Sequence, residues 1–405
     1  MFNVDKIRKD FPILKIKSNN SPLIFFDNGA SSQKPQVVLD KIQEIYKTKY
    51  ANIHRGIYSL SQQATEAYER SRKKIQKFIN AESEKEIIFV RGATEAINLV
   101  AQSYGLNNFK KGDEIVLSQM EHHSNIVPWQ LLRDKLNIKI KILPINKSGD
   151  ISLKDFKELL SKKTKLVSIL HVSNALGTII PLKEIIDISH KKKIPVLVDG
   201  CQSVPHMKVD VKSLDADFYC FSGHKIYGPT GVGVLYCKSE ILEKMEPYQG
   251  GGEMISEVTF EKTTYQSPPY KYEAGTPNIV GSIALGCAID YVEKINIKKI
   301  YDHEQKLMKY ASNKMNSLNE VKIIGTSLNK AGIISFIVEN SHPNDVGVIL
   351  DNQGIAVRTG HHCCQPLMKF YNIPATVRVS FGMYNTIKEI DFFVEALKKA
   401  IKLLR

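Results

Sequence analysis

From Leu23 to about Tyr236 short apolar, β-branched runs alternate with stretches whose apolar positions recur at helical spacing. That alternation predicts a mostly parallel sheet covered by helices. The clearest predicted strands are 87–90, 114–118, 165–171, 195–199, 217–221 and 231–236, each ending where polar residues gather. In open α/β sheets ligands bind beyond the carboxyl ends of the strands, so these polar clusters mark a site without reference to any relative. Residues 249–277, with Gly250-Gly251-Gly252 and Ser267-Pro268-Pro269, read as a functional loop, and an apolar helix begins near Gly281. Beyond it the pattern predicts strands at 332–338, 355–358 and 376–381, a helix at 345–351 and a last helix from Lys388, which together suit a smaller α+β unit. The expected division is a large domain over 21–284 and a small one made of 1–20 with 285–405.

A chain of 405 residues, 43% of them hydrophobic, has apolar surface enough for two such cores. The formal charge of +14 raises the question of nucleic acid. Its distribution answers against it: pairs such as Lys73-Lys74, Lys162-Lys163 and Lys398-Lys399 are scattered over predicted helix faces and form no stripe. The first ten residues mix charges of both signs, and no apolar run approaches the roughly 18 residues a membrane span needs. The expectation is a cytoplasmic protein with no membrane or nucleic-acid partner. The six cysteines show no framework spacing, which favours reduced thiols; Cys201, Cys220, Cys237 and Cys287 read as core residues.

Chemistry concentrates in Ser222-Gly223-His224-Lys225, after an apolar strand and before Gly228, Pro229 and Gly231. A lysine so placed can be partly desolvated and offer a free amine for Schiff-base formation. Alone, it would be read as a surface residue. Upstream, Asp199 closes a strand, where a carboxylate can keep a pyridine nitrogen protonated and make the ring an electron sink. Arg91-Gly92-Ala93-Thr94 forms a strand-to-helix turn whose amides at Ala93 and Thr94, with the Thr94 hydroxyl, can face a phosphate.

These three elements, in this order, resemble the fold-type-I, aspartate-aminotransferase-like pyridoxal-phosphate enzymes over nearly the whole chain. Seven segments narrow the resemblance: Phe26-Asp27-Asn28-Gly29-Ala30, Asn52-Ile53-His54-Arg55-Gly56, Glu121-His122-His123-Ser124-Asn125, Val198-Asp199-Gly200-Cys201-Gln202, Ser222 to Lys225, Tyr272 to Pro277, and Arg358-Thr359-Gly360-His361-His362-Cys363. They are similar to the SUF-type (group II) cysteine desulfurase and selenocysteine lyase branch of the class V aminotransferases. The resemblance implies pyridoxal 5'-phosphate on Lys225, with His123 stacked on its ring and acting in catalysis. It further implies Asn174 and Gln202 at the phenolic side, the latter group also near substrate through Asn174, and Ser222 and His224 joining Thr94 at the phosphate. Thr276 would reach the cofactor of a neighbouring subunit, implying a homodimer with shared active sites. Arg378 would grip the substrate carboxylate, as guanidinium forks do. Arg55 matches a motif at the entrance, and a surface or dimer-interface arginine is an equal reading.

Cys363 stands at the position that receives sulfur, beside histidines and an arginine that stabilise a thiolate. The family motif has a small residue next; here it is Cys364, read as packing or as a thiol that resolves a persulfide. Four consecutive residues, His361 to Cys364, do not converge on one tetrahedral ion, so no metal is expected. The implied reaction converts L-cysteine to L-alanine and passes sulfur from a Cys363 persulfide to an acceptor protein of the SUF system for iron–sulfur cluster assembly. A selenocysteine lyase, another pyridoxal-phosphate lyase or transaminase, and a non-enzymatic binder on the same fold are the alternatives.

Overall fold

The computed structural model describes residues 2–405. Its main sheet has seven strands in the order Ile87–Val90, Gly233–Cys237, Phe218–Ser222, Val196–Asp199, Thr164–Leu170, Glu114–Ser118 and Lys139–Leu143. All pairings are parallel except those of Gly233–Cys237, which runs antiparallel to both its neighbours. The strands read as unbroken apolar runs because both faces are covered. Ile87, Phe89, Val167, Val196 and Tyr219 enter one apolar layer, which faces helices such as Ser59–Phe78, Leu182–His190 and Ile279–Ile295. The alternate residues Ile88, Val90, Leu166, Leu197 and Phe218 enter the other layer, together with Ala96 and Trp129.

A second sheet of four antiparallel strands runs Val321–Ile324, Ile333–Val338, Thr376–Ser380, Arg358–Gly360. Helices Ile297–Asn316, Pro343–Asp351 and Ile387–Leu404 contribute to its core with Leu307, Val346, Leu350 and Phe393. The last helix is started by a reciprocal cap: the Glu389 amide donates to the Thr386 hydroxyl, and the Glu389 carboxylate accepts from the Thr386 amide. The N-terminal segment crosses between the sheets. Ile24–Phe25 pairs in parallel with Ile355–Ala356, Asp27 bridges to Ser380, and Phe11 packs edge-on against Tyr227, Tyr291 and Tyr384.

Three departures from the sequence reading have physical causes. Lys139–Leu143 is an edge strand with Lys139 exposed and Lys141 partly exposed, too polar to register as an apolar run. The single strand expected at 355–358 is two, Ile355–Ala356 and Arg358–Gly360, because the chain leaves its N-terminal partner to join Thr376–Ser380. The 249–277 loop contains a hairpin, Ile255–Val258 with Thr263–Tyr265, whose largely exposed side chains give no burial alternation. Cys201, Cys220 and Cys237 are buried as expected, whereas Cys287 is only half-buried; all six cysteines are free. Among the described residues no helix is long and apolar enough to cross a membrane.

Candidate active site

A cavity of about 240 Å³ opens where the carboxyl ends of the main-sheet strands meet the loops of the small sheet. Lys225, Asp199, Ser222 and His224 line it from the main sheet, with Ala93 and Thr94 beside them, while Arg378 and Cys363 line it from the small sheet. Asn174 and Gln202 complete the wall.

Asp199 is buried at its strand's carboxyl end, and its Oδ1 accepts from the Cys201 amide at 2.9 Å. Gly200 follows because a Cβ there would lie 2.0 Å from the Tyr219 ring. That ring is held in turn by its hydroxyl, within 3.0 Å of His171 Nδ1 and 2.5 Å of Ser203 Oγ. Burial lowers the His171 pKa to about 4, so a neutral, polar layer lies behind the carboxylate. Lys225 ends the turn Gly223–Lys225. The carbonyl just before it, that of His224, accepts from the Ser32 amide at 3.1 Å, the Ser31 and Ser32 hydroxyls at 3.2 Å and Lys34 Nζ at 3.1 Å. Lys34 is a positioning residue that sequence reading missed, although it lies four residues beyond the quoted Phe26–Ala30 motif; burial brings its pKa down to about 8.

At the Ala93–Thr94 turn, Ser222 Oγ accepts from the Ala93 amide at 2.9 Å, which ties the turn to the lysine strand. The turn sits this close because Gly233 is the neighbour: a Cβ there would meet Gly92 Cα at 2.5 Å. Burial, then the charges of Lys225 and Lys34, lower the His224 pKa to about 4.

Arg378 is almost wholly buried. Its Nη1 donates to the Asn174 carbonyl at 2.8 Å, its Nη2 to Asp27 Oδ1 at 3.1 Å, and its Nε has no protein partner. Asp27 also meets Arg358 Nη1 at 3.2 Å, and Arg358, read from sequence as the arginine that stabilises the Cys363 thiolate, faces the same cavity; no role was read for Asp27 from sequence. Gln202 Nε2 is spent on the Gly29 carbonyl at 2.6 Å, and its Oε1 is buried without a partner. Two buried polar atoms without protein partners in one wall suit a polar ligand, so the donor set fits a pyridoxal phosphate and an amino-acid carboxylate.

The structure corrects one expected role and separates two others. His122, not His123, faces the cavity. Its ring lies 6.3 Å from that of His123, and burial followed by the Lys225 charge lowers its pKa to about 4. His123 instead serves the nucleophile loop: its amide donates to the Cys363 carbonyl at 2.8 Å, and its Nε2 accepts from the Gln365 amide at 3.1 Å. Adjacent residues of a short turn point apart, and the motif letters cannot say which one faces in. Thr276 lies in a second cavity of about 570 Å³, shared with Phe89, Arg91 and Ser282. Arg55 also stands outside the first cavity, exposed and paired with Glu253 at 3.4 Å.

The aminotransferase class-V family model matches residues 24–393, from the Ile24–Phe25 strand into the last helix. The chain belongs to the class-V aminotransferase family. Within the family it is 50% identical over 404 residues to a cysteine desulfurase of Shigella sonnei, spanning 100% of this chain and 99% of that relative. The cysteine desulfurase of Thermococcus onnurineus superposes with a TM-score of 0.94 at 41% identity, covering 98% of both chains. Escherichia coli CsdA, a cysteine desulfurase, gives 0.93 at 36% identity over 100% of both. Like other class-V aminotransferases, the chain has the fold-type-I α/β architecture of pyridoxal-phosphate enzymes.

Proposed function

We propose that this protein is a pyridoxal-phosphate cysteine desulfurase of the SUF-type (group II) branch, converting L-cysteine to L-alanine and leaving the sulfur as a persulfide on Cys363. The observation that carries the reading is the meeting of Lys225, Asp199, Arg378 and Cys363 in one cavity, in a chain half-identical to a cysteine desulfurase.

The cofactor, when bound, supplies an electron sink that lets the substrate Cα lose its proton. Lys225 would hold the cofactor and its free amine would take that proton; Asp199 would serve the pyridine nitrogen and His122 the face of the ring. Thr94, through its amide and hydroxyl, with Ser222 and His224, would hold the phosphate, the Ala93 amide fixing Ser222 Oγ instead of reaching the anion itself; Gln202 and Asn174 would line the phenolic side. Arg378 receives the substrate carboxylate, with Asp27 fixing its guanidinium. The Cys363 thiolate attacks the substrate sulfur: the S–S bond forms as the Cβ–S bond breaks, its electron pair stays with the carbon skeleton, and a proton delivered to Cβ together with return of the Cα proton from Lys225 gives alanine. An external thiolate then takes the outer sulfur, in the proposal that of a SUF acceptor protein feeding iron–sulfur cluster assembly.

The same proposal includes the two domains, 21–284 and 1–20 with 285–405, and a cytoplasmic homodimer. In that dimer Thr276, and Arg55 near the entrance, serve the partner's site, which suits their place outside this chain's own cavity. L-selenocysteine would be handled by the same groups.

The test is alanine and sulfide release from L-cysteine plus a reductant, comparing the wild type with Cys363→Ser and Cys364→Ser. Loss of activity in Cys363→Ser alone, with the yellow colour kept, is the expected result. A wild type that makes no alanine, or a fully active Cys363→Ser, returns the chain to an unspecified pyridoxal-phosphate enzyme.

A further inference from the structure

His362 and Cys363 both sit in the left-handed region, at φ 51° and 56°, and the Cys364 amide closes the turn on the His361 carbonyl at 2.8 Å. Two consecutive left-handed residues without glycine persist only where the surroundings impose them. Here they do. The His123 amide holds the Cys363 carbonyl, His362 Nε2 lies 2.7 Å from Thr376 Oγ1, and Asn174 Nδ2 donates to the His362 carbonyl at 2.8 Å.

The Asn174 contact depends on which end of the amide faces the carbonyl, because rotating it would set oxygen against oxygen. The other end, Oδ1, lies 3.1 Å from Cys364 Sγ, and a thiol can donate to it. Cys364 is fully buried and, unlike Cys363, does not line the cavity.

We propose that Cys364 is a positioning residue for the nucleophile: its thiol fixes the Asn174 amide, the amide holds the His362 carbonyl, and the turn so held presents Cys363 to the substrate. The assignment rests on the reading of Cys363 as the sulfur acceptor and adds a function for Cys364, which stands where the family motif has a small residue. It also assigns Cys364 no resolving role. Resolution would require Cys364 to attack the Cys363 persulfide, forming a Cys363–Cys364 bond and expelling hydrosulfide. A thiol committed to Asn174, and pushed up to about 12 by burial, is not available as the attacking thiolate.

The experiment uses holoenzyme and two readouts: the pH profile of Cys363 alkylation by iodoacetamide without substrate, and alanine formed from L-cysteine in a single turnover. Cys364→Val, similar in size but without a donor, should slow both by about fivefold, the factor of one modest hydrogen bond. Cys364→Ser, which keeps a donor, should stay within about twofold of wild type on the same argument. If Cys364→Val fails to retain the cofactor absorbance, Cys364→Ala deletes the donor without adding bulk and carries the same expectation. Unchanged alkylation and alanine in the donor-free variant would overturn the proposal, as would a Cys363–Cys364 disulfide with free hydrosulfide after one turnover of wild type without added thiol. A fully active Cys363→Ser would instead remove the desulfurase reading, while the alkylation profiles would still report on the turn.

Discussion

Asp27 Oδ1 accepts a hydrogen bond from Arg378 Nη2 at 3.1 Å, so the buried guanidinium already faces a carboxylate before any substrate arrives. Removing that carboxylate leaves a buried cation without its anion. Asp27→Asn should lower stability by about 2 kcal/mol, less than for a fully buried pair because Asp27 is partly exposed. A saturating α-amino acid should then raise the variant's melting temperature more than the wild type's, since its carboxylate replaces the lost one. Equal ligand shifts in the two proteins would show that Asp27 does not act on Arg378 in this way.

His122 and His123 should separate by role. His122→Ala removes the ring that faces the cavity and should weaken pyridoxal-phosphate binding by about tenfold, the worth of one stacked ring. His123→Ala loses the Nε2 acceptor for Gln365 and should spare cofactor affinity while slowing sulfur transfer to Cys363. Equilibrium cofactor titration and single-turnover alanine formation measure the two effects; the opposite assignment would restore His123 to the ring.

Glu121 gives a pH dependence of stability. It is fully buried among Ser118, Asn125 and the Leu170 amide, and burial raises its carboxyl from 4.5 to about 8. A carboxyl whose folded pKa is raised favours the fold at pH below its unfolded value, and that contribution fades as pH rises towards the folded one. Melting temperature should therefore carry a component that declines between about pH 4.5 and 8. Glu121→Gln, which cannot ionise, should remove that component; an identical profile would refute the assignment.

Glu273 is the anchor of the segment that carries Thr276. Its carboxylate meets Arg72 Nη1 at 2.6 Å and Nη2 at 2.9 Å, and it also accepts from the Phe89 amide and the Tyr68 hydroxyl. Glu273→Ala should cost about 2–3 kcal/mol, because the Phe89 amide and the Tyr68 hydroxyl lose their acceptor and buried Arg72 keeps only the partly exposed Glu69 carboxylate. The double variant Arg72→Met, Glu273→Leu should recover much of that loss in denaturant unfolding. A single variant as stable as wild type would mean that water reaches Arg72.

Strands buried on both faces announce themselves by composition, so Ile87–Val90 and Glu114–Ser118 are found at their observed bounds from sequence alone. Edge elements such as Lys139–Leu143 and the 255–265 hairpin do not, because their half-exposed residues satisfy no burial pattern. Lys225, Asp199 and the Ala93–Thr94 turn were legible for a related reason: each closes or follows a strand, and strand ends in such a sheet converge.

Sequence by itself therefore determined the sheet, the chemical classes of the groups and the segments that carry them, since these follow from residue type and spacing along one element. Tertiary structure alone decided which of His122 and His123 faces the cavity, that Asp27 occupies Arg378, that Lys34 clamps the carbonyl before Lys225, and that Cys364 turns to Asn174. Those choices depend on contacts between residues as far apart as 351 positions, Asp27 and Arg378. A local pattern encodes the periodicity of one element, but which side chain of a turn meets a distant partner is fixed only when both elements are packed.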